Sequence, residues 1–267
     1  MQVVGLFDEI NIDWTENENS EGLSIELTTN KFFLPTDSKN LAYRAALLMN
    51  EAAEKKGFLK IEINKKIPVA AGLGGGSGNA AAVIVGLNRI WKLGLTTKKL
   101  CEIGSRIGAD VAFMVLTENT KYTAARGIGV GEVLTPLKNG VDAKFVLAKP
   151  TFGVSTAEVF KGIDEIVLTS RPDTEKLIRA LEIKNQEQAF ECMDNVLEQY
   201  TLVNYPIVKE LKEILSQTDG VRKVMMSGSG PTVYGIYDSL AEAKAACFKM
   251  RACGFEAFWA DSVRRNK

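Results

Sequence analysis

At 267 residues, 46% of them apolar and 25% charged, the chain is long enough to bury a substantial core and too apolar to be disordered. Its 33 lysines and arginines balance 33 aspartates and glutamates, so no basic field is available to hold a nucleic-acid backbone. The absence of histidine removes every mechanism that needs an imidazole base, and apolar stretches such as 83–87 are far too short to span a bilayer.

The first residues, Met1-Gln2-Val3-Val4-Gly5-Leu6-Phe7-Asp8-Glu9, carry neither the basic region nor the long apolar region of a secretory signal, so a cytoplasmic location is expected. Residues 22–28 and 58–64 read as strands; in the second, Leu59, Ile61 and Ile63 alternate with Lys60, Glu62 and Asn64. Between them, 37–56 carries Leu41, Ala45, Leu48 and Ala52 at helical spacing, with Asp37 or Ser38 available as the cap. Past Pro68, the run Ala70-Ala71-Gly72-Leu73-Gly74-Gly75-Gly76-Ser77-Gly78-Asn79 opens directly onto a helix with Ala80, Ile84, Leu87 and Trp91 on one face. A further helix over 97–107 precedes Gly108-Ala109-Asp110. Short strands at 120–125 and 143–149 and helices at 156–162, 173–181, 185–199 and 204–216 follow. The chain closes with a strand at 222–226, a glycine turn, a strand at 231–237, a helix at 239–252 and a strand at 255–262. Helices and strands mix without βαβ regularity, which predicts an α+β protein, and the length favours two domains.

Cys101, Cys192, Cys247 and Cys253 have no CxxC spacing, and three lie in apolar helical contexts, where a thiol packs as a small hydrophobe. The loop 72–79 is the strongest chemical signal. Glycines let a backbone approach a phosphate closely, and the helix start that follows offers unpaired N–H donors and a positive dipole end. No Gly-Lys-Ser/Thr follows, and the spacing of Gly72, Gly74 and Ser77 fails the G-x-G-x-x-G pattern. A tight packing turn is the plainer alternative. On residue type alone, Asp110 is a helix cap, Phe160 a core side chain, Gly228, Ser229 and Gly230 a hairpin turn, and Lys65 and Lys66 a solvated pair.

The segment Pro68-Val69-Ala70-Ala71-Gly72-Leu73-Gly74-Gly75-Gly76-Ser77 resembles the phosphate loop of the GHMP superfamily of small-molecule kinases: Pro, three residues, Gly-Leu-Gly, then small residues. Asn40-Leu41-Ala42-Tyr43-Arg44-Ala45-Ala46, Gly108-Ala109-Asp110-Val111, Lys149-Pro150 through Gly153-Val154-Ser155-Thr156, and Met226-Ser227-Gly228-Ser229-Gly230-Pro231-Thr232 agree in family order over the whole chain. The branch they resemble most phosphorylates the 2-hydroxyl of a cytidine-diphosphate-linked methylerythritol.

The resemblance implies a GHMP kinase fold. An N-terminal domain over 1–140, like domain 2 of ribosomal protein S5, would bind ATP, with a ferredoxin-like C-terminal domain over 141–267. The small-molecule substrate would lie between them. ATP, accompanied by Mg2+, would meet Asn40, Leu41, Lys65, Pro68, Gly72, Leu73, Gly74, Gly75, Gly76 and Ser77. Asp110 would accept or orient the hydroxyl proton, Thr156 would hydrogen-bond the substrate, and Phe160 would stack on its cytosine. Gly228, Ser229 and Gly230 would form a second turn packed beside the phosphate loop. Two other readings stay open here: a different GHMP sugar or alcohol kinase, and a nucleotide-binding relative without turnover.

The match departs from the pattern in three places. Members of the family begin with a lysine-bearing strand like Ala-Lys-Ile-Asn-Leu and a hairpin with Asp-Gly-Tyr-His; neither occurs in this sequence, and Met1-Gln2 aligns with a strand that follows them. Gly78 stands where the family usually has a serine. An uncovered sheet edge would favour self-association, so a homodimer is expected.

Overall fold

A period of two builds the first sheet of the computed structural model, which describes residues 1–131 and 133–264. Its strands are β1 (Glu9–Glu16), β2 (Leu23–Thr29) and β3 (Gly57–Asn64), with α1 (Leu41–Ala53) between the last two. β3 lies in the centre, antiparallel to β1 and parallel to β2, and α1 is the crossover that a parallel pair requires. Leu59, Ile61 and Ile63 are buried as the alternation predicts. β1 is not among the expected strands, although Ile10, Ile12 and Trp14 alternate with polar residues and pack on the same core.

α1 starts later than expected. Its cap is Asn40, whose Oδ1 accepts the N–H of Ala42 at 3.0 Å, and neither Asp37 nor Ser38 serves. Its buried face is Ala42, Ala45, Ala46 and Met49 rather than the stripe through Leu41, Leu48 and Ala52. Small side chains there let α1 lie close against α2 (Gly75–Ile90), whose Ala80, Ile84 and Leu87, with Trp91 at its C-cap, are buried as expected. Trp91 meets Trp14 edge-on at 5.4 Å.

α3 (Thr97–Ser105) is capped by Thr96 and leads into α4 (Ala109–Asn119). α4 is absent from the sequence reading because it has little polar face: Val111, Ala112, Phe113, Val115 and Leu116 are all buried. A two-stranded antiparallel sheet follows, β4 (Ala124–Ile128) with β5 (Val133–Leu137), where the sequence suggests a single strand at 120–125.

The second sheet runs β7-β8-β6-β9 and is antiparallel throughout. Its strands are β6 (Lys144–Lys149), β7 (Val221–Met226), β8 (Val233–Tyr237) and β9 (Glu256–Asp261). Helices α5 (Thr156–Asp164), α6 (Thr174–Glu182), α7 (Gln186–Cys192), α8 (Glu198–Asn204) and α9 (Pro206–Ser216) separate β6 from β7, and α10 (Leu240–Ala252) joins β8 to β9. α9 and α10 bury Leu211, Leu215, Ala246 and Met250 against Val146 and Ala148 on one face. Ala180, Leu181, Ala189 and Phe190 of α6 and α7 cover Phe145, Leu147 and Ile236 on the other. β6, covered on both faces, is therefore apolar from Phe145 to Ala148, between terminal lysines.

The helix expected over 185–199 stops at Cys192 and resumes at Glu198. Met193, at φ −72° and ψ 121°, turns the chain out so that Asn195 can reach the turn after β7. Pro206 starts α9 at its first position, where a missing N–H costs nothing.

The two halves are sewn together by the first residues. Gln2 bridges to Ala124 and Val4 to Ser262, and the Gln2 side chain exchanges two 2.7 Å hydrogen bonds with the backbone of Val141.

Candidate active site

Three segments converge on the start of α2. The loop leaves β3 at Asn64 and takes left-handed backbone at Gly72 (φ 69°) and Gly74 (φ 63°), the residue that caps α2. Gly74 offers no capping side chain, so the first-turn N–H groups of α2, around Gly75, Gly76 and Ser77, remain available to an anion. Leu73 is anchored in the apolar core of the second half, and Leu41 lies against Gly76. The Asn40 amide is committed to its own turn, accepting from Ala42 and donating to Pro35 O at 2.8 Å.

The turn between β7 and β8 docks onto this loop. Ser227 Oγ donates to Gly72 O at 2.8 Å, and a Cβ on Gly72 would stand 2.4 Å from Ser227 O and 2.8 Å from Gly230 O. Asn195 Nδ2 holds the turn by donating to Met226 O (2.9 Å) and Gly228 O (2.8 Å). Gly228, Ser229 and Gly230 thus form both a hairpin turn and a brace for the glycine loop. Ser229 Oγ lies 2.9 Å from Thr156 Oγ1 at the head of α5, and Gly153 touches Ala70. Sequence segments about 155 residues apart therefore share one small volume.

Asp110 occupies the exposed first turn of α4, where a carboxylate suits the helix dipole; Gly108 caps the helix without a side chain. α4 packs against α2, and a Cβ on Gly74 would lie 3.1 Å from Met114 Cε, on the side chain one turn beyond Asp110. A cavity of about 500 Å³ opens beside Asp110, lined also by Gln2, Arg126, Leu177, Asp194 and Tyr234. Arg126 pairs with Glu175 of α6 at 2.7 Å. The Met1 ammonium is part of the same wall, donating to Ala125 O at 2.9 Å; burial lowers its pKa, and the charge of Asp110 opposes that shift. None of the glycine-loop residues, Thr156 or Phe160 lines the cavity.

Phe160 is 54% exposed, so it is not the core residue its type suggests; it lies on α5 one turn beyond Thr156. Tyr205 holds this helix through its hydroxyl, which donates to Glu158 at 2.7 Å, and its ring stacks on Phe152. That hydrogen bond pushes the Tyr205 phenol up to about 12, so it remains a donor at neutral pH.

Lys65 departs from its expected place. It is buried rather than facing the loop's open side, and it pairs with Asp8 while its Nζ donates to Asn79 Oδ1 at 3.2 Å. Lys66, by contrast, is the solvated lysine its type suggests, paired with Glu9 at the surface. Asp8, Asn79 and Asn195 escape a reading of the sequence because short polar side chains carry no periodic signal. Burial pushes the Asp8 carboxyl up, but Lys65, Asn79 and the N–H groups of Ile67 and Lys66 together outweigh it and hold its pKa below the ordinary aspartate value. Because the folded pKa is the lower one, the ionised carboxylate contributes stability that is full above the unfolded value and lost as pH falls through the folded one. Unfolding followed by circular dichroism from about pH 4 toward pH 2 is expected to show a steeper loss of stability in the wild type than in Asp8→Asn.

A helix start without a capping side chain suits an anion, and a carboxylate beside a cavity suits a small polar ligand. The model of the GHMP kinases N terminal domain matches residues 40–118, and that of the GHMP kinases C terminal region matches 174–255. The 4-diphosphocytidyl-2-C-methyl-D-erythritol kinase of Alkaliphilus metalliredigens is 43% identical over 92% of this chain and 81% of its own. Its namesake in Geobacillus kaustophilus is 42% identical over 89% and 78%. The solved structure of a 4-(cytidine 5'-diphospho)-2C-methyl-D-erythritol kinase superposes with a TM-score of 0.75 at 29% identity, covering 96% of this chain and 86% of that one. A homoserine kinase from Cytophaga hutchinsonii, at 17% identity and a TM-score of 0.75, shares the fold. The chain belongs to the GHMP kinase family.

Proposed function

We propose that the chain transfers the γ-phosphoryl group of ATP to the 2-hydroxyl of 4-diphosphocytidyl-2-C-methyl-D-erythritol, a step of non-mevalonate isoprenoid precursor synthesis. The observation that carries this reading is the run of relatives named for that kinase, 42–44% identical over about nine-tenths of the chain. The uncapped N–H groups of α2 receive the phosphates, and Mg2+ enters with the ATP. Asp110 takes the proton of the acceptor hydroxyl as its oxygen bonds to the γ-phosphorus; the bond to the bridging oxygen breaks, and ADP leaves. Thr156 orients the acceptor and Phe160 stacks on its cytosine.

The reading places the enzyme in the cytoplasm with small molecules, not nucleic acid, as partners. It extends to self-association, for which exposed apolar side chains such as Phe7 and Phe32 offer area. No described helix is long and apolar enough to cross a membrane.

The test is ADP release with Mg-ATP, comparing the full acceptor with one stripped of its cytidine. Phe160→Ala is expected to raise KM for the full acceptor about tenfold, the scale of one lost base–aromatic stack, and to leave KM for ATP unchanged. Equal turnover of the cytidine-free alcohol would instead make this a GHMP kinase with a different acceptor.

A further inference from the structure

Below the glycine loop, four donors converge on the carboxylate of Asp8. The N–H groups of Lys66 and Ile67 donate to Oδ1 at 2.7 and 2.8 Å, Asn79 Nδ2 donates to Oδ2 at 2.8 Å, and the Lys65 ammonium pairs with the same oxygen. The side chains of Asp8 and Lys65 are 2% and 4% exposed, and Asn79 is 5% exposed. Lys66 and Ile67 stand immediately before Pro68, at the entry to the loop, whereas Asn79 stands in the second turn of α2, at its exit. Only an ionised carboxylate accepts from all four without leaving a buried donor unpaired. Lys65 Nζ also lies 3.0 Å from where a Cβ on Gly75 would be, directly under the first turn of α2. Its own backbone N–H donates to Asn30 Oδ1 at 2.8 Å, so the entry strand is pinned from a second side.

We propose that Asp8 is a positioning residue for nucleotide binding: its carboxylate ties the two ends of the glycine loop together, so the N–H groups that receive the phosphates are set before ATP arrives. It rests on the reading that this loop holds ATP. A loop rich in left-handed glycine backbone has many other conformations open to it, and ordering it on binding would subtract from affinity. Joining entry to exit through one buried group removes that cost. Lys65, which the sequence suggests as a direct nucleotide contact, then acts from beneath the loop through Asp8 and Asn79.

The test uses the full chain, with ATP affinity measured by calorimetry and thermal unfolding measured in parallel. Asp8→Ala is expected to weaken ATP binding about tenfold and to lower the melting temperature, because it also strands a buried ammonium. The double variant D8A/K65M carries no unpaired charge, so it is expected to recover melting temperature while its ATP affinity remains low. Asp8→Asn should fall between, since its carbonyl still accepts from Lys66 and Ile67. In turnover, KM for ATP rises while kcat at saturating ATP changes by less. If affinity returns together with melting temperature in the double variant, Asp8 is only a structural ion-pair partner and the proposal is overturned. A wild-type chain that binds no ATP overturns the reading of the loop, and this inference with it.

Discussion

Asp110→Asn is expected to lower kcat by at least about 100-fold and to leave KM for ATP within about twofold, the pattern of a group that acts on the acceptor proton. Asparagine keeps the size of the side chain but cannot take up a proton. Asp110 is exposed in the first turn of α4, and its side chain is not part of the core, so the fold should tolerate the exchange. ADP release at saturating substrates, beside calorimetric ATP binding, separates the two effects. Turnover within tenfold of wild type would remove Asp110 from the role of proton acceptor.

The second large effect is expected at Gly72. Alanine there must take a φ of 69°, and its Cβ would overlap two backbone carbonyl oxygens, Ser227 O at 2.4 Å and Gly230 O at 2.8 Å. No rotamer relieves a backbone clash, so the turn and the loop must part. A loss of about 2–4 kcal/mol in stability is expected, together with at least tenfold weaker ATP binding. Gly78→Ala is the control. That residue is helical, a Cβ on it would meet nothing within 4 Å, and alanine there should stabilise by up to about 1 kcal/mol. Urea unfolding of the two variants measures the contrast; equal effects would mean the Gly72 contact is not tight.

The parts of the fold legible in the sequence are those with a one-sided burial pattern. β3 alternates cleanly, and α2 shows its apolar face, so both stand where the spacing places them. α4 is buried nearly all round, which erases the periodicity on which a helix assignment depends. The glycine loop is legible because its composition is rare before a helix, whatever its surroundings. The individual bonds from Ser227 and Asn195 are not, although the family resemblance sets the 228–230 turn beside the loop, because they pair segments far apart in the chain. Lys65 shows the limit from the other side: a lysine beside a phosphate loop reads as a ligand until Asp8, 57 residues earlier, is seen to hold it.

The Ser227–Gly72 bond also bears on how such enzymes diversify. An exchange of the second half for that of a relative would bring a foreign turn against a backbone with room for no Cβ. A chimera crossing over between the halves therefore has to inherit loop and turn as one unit, and α5, whose Thr156 meets Ser229 of that turn, can shift only within the same mechanical fit.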